Sequence, residues 1–436
     1  MEIESKKILL LSTGDINGAY EYVYRLAKLF ISDGHEVVML VKQKSKYDDF
    51  VKVYSEFISY KRKSLFIRII DKIKNKIKKP QKPPVVVFDE IYDFISKDET
   101  KINVSPKRII ECIGFTPDFI FSGMTDEFMN STDLLNLQQM TNAQVYNITV
   151  DMNHFTGGCH FAWECKGYME GCNICPAIKN EFGKDKAKIN FEKKYYNAKK
   201  GNFKILTGSG WTLQQTKKSL IYKSQKDVLN INSLIDTAIF NNKSRGFARN
   251  IFNLDQNSFY ILMGCQNSKN KRKGFEYLVE SLNILQSQLT DSQKKQIKVL
   301  IVSRFVNDNF DSIPFEKEFI EYVNDYRLLS LLYQTANVFV NSSIEDSGPM
   351  MVSEALACGT PVVGFDMGVV HNMVISNYNG YKAKLLDSND LSIGIKKIFE
   401  LSTNEFLEYS NNATKHVEEF SSLSYAKSQI RNLLKN

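Results

Sequence analysis

Short apolar runs alternate with amphipathic stretches from residue 7 onward. Lys7 to Ser12 (KILLLS) is the first run, followed by the small-residue turn Thr13-Gly14-Asp15-Ile16-Asn17-Gly18. A period of three to four residues begins there, with Tyr22, Leu26, Leu29 and Phe30 on one face, and Gly34 closes it before the next run, Glu36 to Val41. Further runs at Val85–Phe88, Phe119–Ser122, Val145–Val150 and Phe203–Thr207 have helical patterns between most of them. Continuous short apolar runs are strands covered on both faces, so the first half predicts an α/β, mostly parallel, doubly wound sheet.

The pattern then restarts. Phe259–Gly264, Val299–Ser303, Val338–Asn341 and Pro361–Phe365 read as strands, with helices near 274–288, 326–335 and 350–357. The stretch 230–240 between the halves reads as an interdomain connection. The expected organisation is an N-terminal Rossmann-like domain over 1–235, a second one over 236–415, and a C-terminal helix, 416–436, returning to the first. At 436 residues the chain has room for two such cores. Two parallel sheets facing one another leave an interdomain cleft at the carboxyl ends of their strands, where ligands of such sheets bind.

Candidate chemistry concentrates in the second half. The loop Asn341-Ser342-Ser343-Ile344-Glu345-Asp346-Ser347-Gly348-Pro349 leads into a helix that starts at Met350 and carries Glu354. Pro349 stands where a first helical residue belongs, and the free amides just after it suit anionic oxygens. Glu354, one and a half turns on, is placed to bind vicinal hydroxyls, and Glu345 or Asp346 to hold a sugar hydroxyl. Upstream, Gly264 ends a strand and Arg272-Lys273-Gly274 opens the next helix; two cations there make a clamp for a diphosphate.

Gly264 with Lys273-Gly274, Ser342-Ser343 through Glu354, and Glu354-Ala-Leu-Ala-Cys-Gly-Thr-Pro-Val-Val resemble glycosyltransferase family 4, retaining enzymes of the GT-B fold. The resemblance implies Lys273 on the donor phosphates, Glu354 on the ribose, and Glu345 or Asp346 near the transferred sugar, with Ser347, Gly348, Pro349 and Met350 at the donor. It also implies that Gly18 and the turn from Gly14 lie under those phosphates. Two departures stand out. The Arg that commonly follows the strand glycine is replaced by Cys265-Gln266, leaving Arg272 to supply its charge. The His that often precedes Asp151 is Val150 here, which leaves His154 or His160 for that role, or the role unfilled.

The segment from Asp151 to Cys175 holds four of the seven cysteines within 17 residues: Cys159, Cys165, Cys172 and Cys175. A close Cys-x-x-Cys pair with two further thiolates nearby has the spacing of a structural zinc site. Unligated reduced cysteines, an iron–sulfur cluster and disulfides are the alternatives. Thr156-Gly157-Gly158-Cys159-His160 resembles a segment found in one branch of the same transferase family.

Composition narrows the surroundings. Residues 61–82 carry ten Lys or Arg against Asp71, so this one segment accounts for the whole net charge of +8. Within it Leu65, Ile69, Ile73 and Ile77 recur every four residues among lysines, the profile of an interfacial helix drawn to anionic lipid, or of a surface helix with a solvated basic face. No nucleic-acid motif or aromatic interleaving accompanies it, so nucleic acid is excluded as a partner. No apolar run reaches the ~18–20 residues that cross a bilayer. The expectation is a cytoplasmic enzyme, peripheral on the inner face of the plasma membrane. It would move a hexose from a nucleotide-sugar donor to a glycan or lipid-linked acceptor in polysaccharide biosynthesis, with no cofactor for catalysis. The alternative is a non-catalytic nucleotide or sugar binder of the same fold.

Overall fold

The computed structural model describes residues 4–16, 18–55, 85–95, 97–226, 228–264, 269–303, 308–348 and 350–435. The basic segment 61–82, Cys265-Gln266 and Pro349 lie outside the described residues.

Two all-parallel sheets form, one in each half. The first has seven strands: β1 (Lys7–Ser12), β2 (Glu36–Val41), β3 (Val51–Val53), β4 (Phe119–Ser122), β5 (Gln144–Thr149), β6 (Lys204–Thr207) and β7 (Leu229–Asn230). Their order is β3-β2-β1-β4-β5-β6-β7, with Ile8 in register with Val37 on one side and Phe119 on the other. The second has six: β8 (Phe259–Gly264), β9 (Ile297–Ser303), β10 (Glu316–Glu321), β11 (Val338–Asn341), β12 (Val362–Phe365) and β13 (Gly380–Ala383), in the order β10-β9-β8-β11-β12-β13.

Each central strand feeds two cores, which is why the apolar runs lack polar alternation. Leu9 and Leu11 pack with Val38, Leu40 and Ile120 on one face, while Ile8 and Leu10 pack with Leu26, Phe30 and Phe121 on the other. Tyr260 and Leu262 pack with Tyr333 and Leu356, and Ile261 and Met263 with Leu278 and Val299. Each fully buried aliphatic side chain stabilises the fold by about 1.5–3 kcal/mol. The helices that matter below are α1 (Gly18–Ser32), α2 (Phe275–Ser287), α3 (Tyr326–Thr335), α4 (Met350–Ala357), α5 (Thr403–Phe420) and α6 (Leu423–Leu433).

The chain crosses between the two halves twice, side by side. Ile235, in the connection after β7, bridges Ser422, the N-cap of α6. α5 keeps Ala413 and Val417 in the second core, whereas α6 places Ala426 and Ile430 in the first. Asp33, just past α1, holds Lys427 and Arg431 of α6.

One strand expectation is corrected. Val85–Phe88 is not a strand of the sheet: Val85 and Val87 are exposed, and only Phe88 pairs, antiparallel, with Ile178. That bridge ties the 85–95 segment to the cysteine-rich lobe. No helix among the described residues is long and apolar enough to cross a membrane.

Candidate active site

The loop after β11 and the turn before α2 are sewn together by backbone hydrogen bonds. Ile344 N–H donates to the Arg272 carbonyl (2.8 Å) and Ser342 Oγ to the Lys273 carbonyl (2.9 Å). Gly274 makes this approach possible: its φ is +58°, and a Cβ there would stand 2.0 Å from the Ser342 carbonyl oxygen. Sequence-distant cations and carboxylates therefore meet. Lys273 Nζ pairs with Asp346, and Arg272 Nη1 donates to the Glu345 carbonyl (3.3 Å).

The two adjacent acids, ambiguous in sequence, are electrostatically unlike. Burial raises the Asp346 carboxyl, but Lys273 and then Arg272 outweigh it and hold it below the usual range; the Gly348 N–H adds a hydrogen bond at 3.2 Å. Among the described residues Glu345 accepts from one neutral donor, Trp163 N–H (3.1 Å), and its burial pushes it up to about 7. Folding thus favours protonated Glu345, and its contribution to stability falls as pH rises from the ordinary 4.5 through 7. Wild-type protein should therefore lose, between pH 5 and 8, on the order of 3 kcal/mol that Glu345→Gln does not lose. Paired thermal melts across that range would measure it, and parallel curves would remove the argument.

The first half closes over this loop. Asp93 pairs with Arg272 Nε (3.3 Å), and the Arg272 guanidinium lies 3.7 Å from the Phe161 ring centre. Trp163 Nε1–H donates to Ile91 (2.7 Å), and Ser347 Oγ donates to the Val150 carbonyl. Asp93 and Trp163 both hold positive φ, 43° and 51°, a strain that non-glycine residues adopt where surrounding structure imposes it.

Glu354 lies on α4, almost fully buried. Its Oε1 accepts from Arg25 Nη2 of α1 (2.6 Å) and its Oε2 from Tyr333 Oη of α3 (2.9 Å). Arg25, Tyr333, Asp93, Phe161 and Trp163 were not anticipated. The one available signal was Arg25, a cation three residues after Tyr22 and four before Leu29, inside the apolar face of α1.

The other candidate residues are placed as follows. Gly264 ends β8 against Met351, and Gly18 opens α1 at φ +46°. Met350 packs on the first half's core. Both histidines are committed to the first half rather than to the acids. His154 Nε2 meets the Gly123 carbonyl (2.9 Å), and burial pulls the ring down to about 4. His160 Nδ1 meets Asp151 Oδ2 (2.8 Å); burial works against protonation, but Asp151 raises the ring above its usual value.

Cys159, Cys165, Cys172 and Cys175 line one small cavity beside Tyr92 and Phe94, and none forms a disulfide. Gly167 N–H donates to Cys165 Sγ (3.4 Å), and backbone N–H groups of Gly157, Ala177 and Ile178 serve Cys172 and Cys175. Among the described residues no three His, Cys, Asp or Glu side chains stand close enough to share a metal ion.

Two parallel-sheet Rossmann-like domains have the architecture of the GT-B fold. Residues 244–416 match the family model described as Glycosyl transferases group 1. No curated protein matches the sequence. Sucrose-phosphate synthase from Thermosynechococcus elongatus superposes with a TM-score of 0.62 at 15% identity, covering 99% of this chain and 98% of that one. A glycosyltransferase from Rickettsia africae gives 0.60 at 15%, covering 99% and 98%. Anabaena HepE in complex with UDP and glucose gives 0.63 at 14%, covering 99% and 100%. At these identities the likeness is one of fold.

Proposed function

We propose that this chain is a retaining glycosyltransferase that moves a hexose from a nucleoside-diphosphate donor to a glycan acceptor, free or lipid-linked. The observation that carries the reading is the meeting of Arg272 and Lys273 with Glu345 and Asp346 at the carboxyl ends of β8 and β11, with Glu354 on the helix that follows. HepE, of the same fold, binds UDP and glucose. In the reaction the bond from the sugar's anomeric carbon to the donor phosphate oxygen breaks. The acceptor hydroxyl oxygen bonds to that carbon on the same face, and its proton passes to the leaving phosphate. Arg272 and Lys273 would neutralise the charge that develops on that phosphate, exchanging Asp93 and Asp346 for it. Glu354 would accept hydrogen bonds from the ribose hydroxyls, and Glu345 or Asp346 from the sugar.

The test is a screen of nucleotide sugars for slow hydrolysis and for transfer to glycan acceptors, offered in solution or in vesicles containing anionic lipid. A single nucleotide sugar should turn over, with the anomeric configuration kept in the product read by NMR. Inversion would remove the retaining mechanism; tight binding without turnover in either format would favour a non-catalytic binder.

We further propose that the cysteine quartet takes up a structural zinc. The donor set supports it: four free thiols share one cavity, and backbone N–H groups already point at three of the sulfurs. The metal would draw the sulfurs together from their present spacing and would hold the lobe, with no part in the chemical step.

A further inference from the structure

Glu354 is held by a residue from the opposite domain, and this has consequences for how the donor site is assembled. Arg25 leaves α1 in its second turn and is nine-tenths buried where the two halves meet. Its Nη2 donates to Glu354 Oε1 (2.6 Å) and its Nε to Glu21 Oε1 (3.2 Å), while Nη1 is buried with no hydrogen-bond partner. The guanidinium lies over the rings of Phe240 and Tyr326, at 5.6 and 5.4 Å from their centres. Lys46 and the Tyr326 hydroxyl complete the cluster on Glu21, with Lys46 Nζ at 3.0 Å. Arg25, Lys46, Glu21 and Glu354 balance to zero charge. A buried ion cluster with satisfied geometry fixes orientation more than it adds stability, whereas removing one member leaves its partner unpaired.

We infer that Arg25 is a positioning residue of the nucleotide site, contributed by the N-terminal domain, so that Glu354 is set to read ribose hydroxyls only when the two domains are together. This rests on the proposed role of Glu354. Each Glu354 oxygen uses one lone-pair direction on a protein donor, Arg25 for Oε1 and Tyr333 for Oε2, and each retains another. A pair of vicinal hydroxyls matches the two that remain. The unpartnered Nη1 offers a further donor at the same place. Arg25 thus couples domain closure to recognition of a ribonucleotide, a selectivity that neither domain carries alone.

Titration calorimetry on the full chain with UDP, ADP and GDP, each beside its 2′-deoxy form, tests this. Wild-type protein should bind one ribonucleoside diphosphate at least about tenfold more tightly than its deoxy form. Arg25→Gln should lose most of that preference, weakening the ribo form while leaving the deoxy form little changed. Tyr333→Phe, which removes the other donor to Glu354, should move the preference the same way, and Arg25→Lys should fall between, keeping charge but losing the fork. These two variants decide the matter if Arg25→Gln melts too low to titrate. Full ribose preference in Arg25→Gln or in both other variants overturns the inference while leaving the donor site intact, as does tighter nucleotide binding on loss of Arg25. Wild-type protein indifferent to the 2′-hydroxyl, or binding none of the three nucleotides, would instead remove the role of Glu354 itself.

Discussion

Lys273→Ala should lower donor turnover by roughly 10- to 150-fold, the factor that corresponds to a lost charge-assisted hydrogen bond of about 1.5–3 kcal/mol. Lys273 is the cation best able to move onto a phosphate. Its side chain is 38% exposed, Asp346 is its ion-pair partner among the described residues, and it sits on the turn that Gly274 presses against Ser342. Its loss leaves buried Asp346 with the Gly348 N–H and the neighbouring Arg272 charge, so the melting temperature should fall modestly. Glu354→Ala should cut turnover by a similar factor but should not leave the fold untouched. It removes the carboxylate that Arg25 and Tyr333 share, and a buried guanidinium left with one fewer partner is costly. Glu354→Gln is the cleaner variant, keeping shape and one acceptor oxygen. Initial rates of donor hydrolysis, with melting curves alongside, separate the two effects. Wild-type rates in both Lys273→Ala and Glu354→Gln would place the donor elsewhere in the molecule.

The fold was legible because its information is local and repeated. Strands such as KILLLS and FYILMG are apolar without alternation, and each is covered on two faces, as the paired cores around Ile8–Leu11 and Tyr260–Met263 demonstrate. β10 went unread for the opposite reason. EKEFIE is an edge strand with four charged residues of six and none fully buried, so its apolar content does not announce it. β3 and β7 are only three and two residues long and leave almost no periodic signal.

The site divides along the same line. Residues in one loop–helix unit, from Glu345 to Glu354, and the Arg272-Lys273-Gly274 turn could be read from spacing and helix-start chemistry. Residues brought in from the other half could not. Trp163 reaches Glu345 through its backbone N–H, which any residue would supply, and Asp93 reaches Arg272 from a stretch that carried no reading, beyond the run Val85–Phe88 misread as a strand. Nor could sequence distinguish the two acids. Their difference lies in which neighbour each meets: a lysine for Asp346, a peptide N–H for Glu345.

The largest structural effect is expected in the cysteine lobe. Freshly prepared, reduced protein should carry about one zinc per chain, and Cys172→Ser or Cys175→Ser should lose it together with much of the stability of residues 151–178. This stretch has little else to order it. It contains a 3-10 turn, Asn153–Phe155, and one single-turn α-helix, Gly167–Glu170, and its Cys172 sits at φ +54°, so regular hydrogen bonding contributes little to its shape. Chelation should act as the serine variants do, and zinc returned to the chelated wild type, but not to the variants, should restore the melt. The effect should reach the donor loop as well. Phe161 lies against Arg272 and Trp163 donates to Glu345 from within this lobe, so its loosening should weaken donor turnover. Metal analysis combined with hydrogen exchange can separate the outcomes. Zinc lost with the lobe's protection supports the site, and coloured protein with stoichiometric iron would replace zinc by a cluster. A lobe equally protected in metal-free wild type and in Cys172→Ser would reduce the quartet to buried thiols held by the packing of Phe94, Phe155 and Tyr168 around them.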